Sequence, residues 1–171
     1  MNRLKQILFC LILFSSSIIL AQVLPVDVAW NEEETGYYTL KENNIVLVST
    51  KGEEDKIILS QQDINNIEIE SFFFSKSKRK VLLFTKSLKV WRYKTRGDYW
   101  VYNFDKKKIK KIGEKMSGSS LMFAKFSPDE QYVAYVSKEK SESGIRNSST
   151  SANIYIENLE NKKVKKLTSS N

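Results

Sequence analysis

Apolar residues along most of this chain come in short runs separated by polar or charged turns. Beyond residue 21 they nowhere keep the three-to-four spacing of an amphipathic helix of useful length. Runs rich in Val, Ile, Tyr, Phe and Trp predict strands at 37–40, 45–48, 57–59, 67–69, 81–85, 99–104, 109–112, 132–137, 154–159 and 164–167. The pattern is that of an all-β protein.

The runs are periodic. Phe74-Ser75 and Val81-Leu82-Leu83-Phe84 recur 52 residues later as Phe126-Ser127 and Val133-Ala134-Tyr135-Val136. The segment from Phe104 to Ile112 recurs 55 residues later, from Leu159 to Leu167, and residues 37–60 form a weaker first copy. A unit of about 50 residues with about four strands has the size of a β-propeller blade. Blades stack face to face, so their middle strands should be apolar on both sides, and Val81-Leu82-Leu83-Phe84 and Val133-Ala134-Tyr135-Val136 are. A β-sandwich with chance similarity between hairpins is the alternative, and the double match at 52 and 55 residues favours blades.

The fold expected is therefore a partial β-propeller of about three four-stranded blades. Closed propellers typically have about four to eight blades, and an open arc would leave an apolar blade face uncovered. The simpler expectation is that residues 22–171 are the amino-terminal part of a longer propeller. The other is that a partner supplies the missing blades.

The first 21 residues follow a different pattern. Arg3 and Lys5 precede an apolar run of 15 residues, Ile7 to Ala21, broken by Ser15, Ser16 and Ser17. That is shorter than the roughly 20 residues needed to span a bilayer. Together with the small residue Ala21 it predicts a signal peptide, 1–21, and export to a bacterial periplasm or beyond rather than a stable membrane span.

Composition narrows the chemistry. The chain of 171 residues contains no His, which excludes Ser-His and Cys-His nucleophile pairs within it. Its one cysteine, Cys10, cannot form an internal disulfide or a zinc knuckle. Carboxylate spacing suggests no metal site, and no cofactor is expected. The net charge of +8 is concentrated in two lysine-rich runs, 106–111 and 162–166, which taken alone suggest nucleic acid. They fall at equivalent points of two repeats, where lysines protect exposed outer strands from edge pairing. No nucleic-acid partner is therefore expected. Arg96-Gly97-Asp98 spells an adhesion tripeptide, but Gly-Asp suits an ordinary turn. Tyr99, Trp100 and Tyr102 read as packing between blades rather than as a stacking platform.

Several stretches carry a resemblance. Trp91-Arg92-Tyr93, Arg96-Gly97-Asp98-Tyr99-Trp100-Val101 and Leu121-Met122-Phe123-Ala124-Lys125-Phe126-Ser127-Pro128-Asp129 are followed by Tyr132-Val133-Ala134-Tyr135-Val136 and Asn153-Ile154-Tyr155-Ile156. Together they resemble the amino-terminal propeller of the dipeptidyl peptidase IV family. The likeness is strong over 80–168 and weaker over 28–75. It implies a secreted or membrane-anchored serine exopeptidase that releases dipeptides from peptide amino termini. The propeller of such an enzyme caps an α/β-hydrolase domain that carries the catalytic triad.

The resemblance puts no catalytic residue in this chain, and both the hydrolase domain and the acidic motif for the substrate amino group are missing from it. It assigns one substrate contact, Arg92, whose guanidinium would hydrogen-bond the carbonyl of the peptide substrate's penultimate residue. A homodimer of the intact enzyme is compatible with it. Two departures stand out: a long polar connection at 138–152, and Glu130 where the family has Gly. Glu130 should cost little if its position does not require positive φ. The rival from another class is a stand-alone envelope propeller that binds protein or peptide without enzymatic activity.

Overall fold

The computed structural model describes residues 28–33, 35–90, 93–116, 120–138 and 152–168. Twelve strands form three four-stranded antiparallel sheets among these residues. The first sheet contains β1 (Ala29–Trp30), β2 (Gly36–Lys41), β3 (Asn44–Ser49) and β4 (Lys56–Leu59). The second contains β5 (Ser71–Phe74), β6 (Lys80–Val90), β7 (Tyr93–Asn103) and β8 (Lys108–Ile112). The third contains β9 (Met122–Phe126), β10 (Tyr132–Lys138), β11 (Ala152–Asn158) and β12 (Val164–Lys166). In each sheet the spatial order follows the chain, so each is an up-and-down meander. The all-β, three-blade expectation holds. The expected signal peptide, 1–21, lies outside the described residues, and among the described residues no helix is long and apolar enough to cross a membrane.

The middle sheet shows why its central run is apolar on both sides. Side chains alternate across a strand, so Val81 and Leu83 point to the first sheet. There they join Tyr102, Ile45, Leu59, Ile64 and Ile69 in one buried cluster. Leu82 and Phe84 point the other way, joining Tyr99, Val101, Ile112, Val133, Tyr135 and Tyr155 in a second. At roughly 1.5–3 kcal/mol for each fully buried large aliphatic side chain, these two layers are the main source of cohesion between blades. Tyr99 and Tyr102 thus pack on opposite faces, as expected of inter-blade aromatics.

The strand expected at 67–69 is absent; the strand begins at Ser71 instead. The reason is a side chain that imitates a neighbouring strand. Asn43 donates from Nδ2 to the carbonyl of Ile67 at 2.9 Å and accepts from the amide of Ile69 at 2.7 Å. The backbone there is satisfied without a ladder.

Candidate functional site

The second blade carries an arm. β5 pairs with β6 only over residues 81–84, and β8 pairs with β7 only over residues 99–103. From Thr85 to Val90 and from Tyr93 to Asp98 the two long strands pair with each other, extending the hairpin beyond the blade. At about 3.4 Å per residue this adds roughly 20 Å of two-stranded ribbon. Trp91 and Arg92 fall between the paired residues Val90 and Tyr93. Both lie outside the described residues, the expected substrate contact Arg92 among them.

The base of the ribbon is held on both edges. On the β6 side the register shifts after Thr85, and Lys86 adopts a left-handed φ of 49°. The Glu70 carboxylate meets this bulge, accepting the Ser87 amide at 2.5 Å and the Ser87 hydroxyl with its second oxygen. On the β7 side Gly97 and Leu121 exchange two backbone hydrogen bonds, at 3.1 and 3.2 Å, tying the ribbon to the start of the third blade. A Cβ at Gly97 would lie 2.5 Å from the Phe84 ring and 2.6 Å from the Thr85 carbonyl, so only glycine permits this approach.

This corrects the turn role expected for Arg96-Gly97-Asp98. The tripeptide lies within β7. Its Asp98 is buried and accepts from Lys111 Nζ at 2.8 Å, while the same ammonium sits 5.6 Å from the centre of the Trp100 ring.

The lysine runs also have partners. Lys110 reaches the third blade, where its ammonium lies 3.4 Å from the buried carboxylate of Glu157 and donates to the carbonyls of Asn158 and Leu159. The other Glu157 oxygen accepts the Gly113 amide at 2.9 Å. Burial pushes the Tyr135 phenol well above its ordinary pKa, and the charge of Glu157 acts in the same direction. Further out, Lys106 pairs with Glu160 and Lys162 with Glu114, again from blade to blade. Three of the nine lysines in these runs, Lys106, Lys110 and Lys162, thus face carboxylates across the joint. Lys107 and Lys108 remain on the exposed surface; Lys108 opens the outer strand β8 as expected, whereas Lys107 lies in the turn before it.

Glu130 is the other staple between these blades. Its carboxylate accepts both the amide and the hydroxyl of Ser77, the latter at 2.7 Å, and Lys80 Nζ donates to its backbone carbonyl at 3.0 Å. Burial pushes the carboxyl pKa up. The bonds from Ser77, with Ser75 and the charge of Lys80, outweigh that and hold it below the usual glutamate value. The condition under which Glu130 would cost little is not met, because its φ is 56°. The backbone wants glycine here, and the clamp on the second blade is what the glutamate provides in return.

Among the described residues no group of three or more His, Cys, Asp or Glu could hold a metal ion. Glu70 and Glu157 carry no signal in the sequence analysis, and Gly97 enters it only as part of an expected turn. The glycine in the Arg96-Gly97-Asp98 stretch was the available signal for the last of these.

Three consecutive meandering sheets stacked face to face, one bearing a long arm, define propeller blades. The family model for the dipeptidyl peptidase IV N-terminal region matches residues 75–171, more than half of the chain, and the chain belongs to that family. Among solved structures it is similar to dipeptidyl peptidase 4 of Porphyromonas gingivalis, with a TM-score of 0.62 and 18% identity. That match covers 83% of this chain and 19% of the peptidase, so the chain spans about a fifth of its length. Hydrazine synthase of Kuenenia stuttgartiensis matches at TM-score 0.51 and 12% identity, over 84% of this chain and 42% of that one. TolB of Acinetobacter baumannii matches at TM-score 0.49 and 17% identity, over 84% and 32%. At these identities the structural likeness is one of fold. No curated protein matches the sequence.

Proposed function

We propose that this chain is the amino-terminal propeller portion of an exported dipeptidyl peptidase IV-like serine exopeptidase. It contributes gating and substrate recognition to an α/β-hydrolase domain outside this sequence. Family membership over residues 75–171 carries the reading. The arm supports it, since a ribbon extending roughly 20 Å beyond the blade is a means of bringing a side chain at residue 92 to a bound peptide. In this reading Arg92 donates to the carbonyl of the penultimate substrate residue. Its guanidinium stays charged at any working pH and presents several donors in a fixed fork. The chain has no His, so the base of a Ser-His pair would come from elsewhere in the intact enzyme.

The test is steady-state cleavage of an Xaa-Pro naphthylamide by the intact peptidase bearing this propeller. Arg92→Ala is expected to raise KM about 10- to 100-fold with little change in kcat, as for loss of a charge-assisted bond made equally in ground and transition states. Arg92→Lys should recover part of the loss. An unchanged KM in Arg92→Ala would overturn the assignment.

A further inference from the structure

We propose that Glu70 is a positioning residue that sets the direction of the β6–β7 arm. Its importance for catalysis rests on the reading of Arg92 above. A two-stranded ribbon is at best marginally stable in water without packing or further strands, so the arm takes its orientation from whatever grips its base. On the β7 edge that grip is the backbone exchange between Gly97 and Leu121.

On the β6 edge it is the Glu70 carboxylate, which binds the amide and hydroxyl of Ser87 together. The carboxylate acts where the ribbon bends. Lys86 holds a left-handed backbone that an ordinary residue rarely adopts, and a bulge at that point re-aims everything beyond it. Glu70 is itself fixed, because its amide donates to the Phe84 carbonyl at 2.9 Å, next to the bulge. Backbone and side chain of one residue thus bracket the bend at Lys86, five residues before Trp91.

The experiment pairs hydrogen–deuterium exchange on the full chain with kinetics of the intact peptidase. In Glu70→Ala, amides of residues 86–96 should exchange at least about 10-fold faster, the range set by loss of charge-assisted bonds. Those of β10 should keep the wild-type rate. KM for the Xaa-Pro substrate should rise in parallel, and Glu70→Gln, which can still accept from the Ser87 amide, should restore most of both. Unchanged exchange in 86–96 would overturn the proposal whatever Arg92 does. Faster exchange with an unchanged KM, in an enzyme where Arg92→Ala does raise KM, would overturn the positioning role. If Arg92→Ala leaves KM unchanged while Glu70→Ala loosens the arm, the Arg92 reading fails and Glu70's control of the arm stands.

Discussion

Gly97→Val will cost the protein more than about 3 kcal/mol, the range of severe overpacking combined with loss of backbone pairing. The added carbons have nowhere to go. One would meet the Phe84 ring at 2.5 Å and the Thr85 carbonyl at 2.6 Å, inside any real carbon contact. Phe84 cannot yield freely, because it packs on Tyr99 at a ring separation of 4.8 Å within the cluster joining the second and third blades. Relief would require the β7 backbone to shift at Gly97, the residue that holds the two hydrogen bonds to Leu121. Urea unfolding followed by tryptophan fluorescence should show a large fall in midpoint or no folded baseline. A midpoint within experimental scatter of wild type would mean that the blades do not meet as described.

The second large effect is at Glu130. Glu130→Ala should destabilise by about 2 kcal/mol near neutral pH, since it removes two charge-assisted bonds from Ser77 while the cost of the positive φ stays as it was. Glu130→Gly loses the same bonds but relieves the backbone, so it should be less destabilised than the alanine variant by roughly 1 kcal/mol. The folded-state pKa of this carboxyl is depressed. Its stabilisation is therefore complete above the unfolded value of about 4.3 and is lost as pH falls through the lower folded value. The gap between wild type and Glu130→Ala should stay constant from about pH 7 to 5 and shrink below about pH 4. A gap that widened in acid would contradict the clamp.

Neither Gly97 nor Glu130 carries its inter-blade role as a local signal in the sequence. Val81-Leu82-Leu83-Phe84 announced a strand buried on both faces, because composition and strand alternation are local properties. The first strand of each blade was harder to see. β1 is only two residues long, and in β9 Phe123 takes a φ of 55° that interrupts the alternation. The long arm has no local signature, because its segments are polar and mixed, Lys86 to Lys89 and Lys94 to Asp98, with no apolar period.

The anchors of the arm and of the joint come from pairings between distant segments. Ser87 meets a carboxylate 17 residues away, Gly113 meets one 44 away, and Gly97 meets a backbone in the next blade. Nothing in the sequence near each residue announces its partner. Arg92 rests on the family resemblance alone, as part of a Trp-Arg pair within a family-like stretch, and lies outside the described residues.

The most direct test of the central claim is immunodepletion. An antibody raised against the peptide of residues 138–152 would be applied to envelope and culture fractions, and Xaa-Pro dipeptide release measured before and after. The expected result is that activity leaves the supernatant with the antigen and that the captured band is several times larger than the 19.9 kDa of this chain. Complete capture of the antigen with the peptidase activity left behind, and none in the precipitate, would contradict the assignment to a dipeptidyl peptidase.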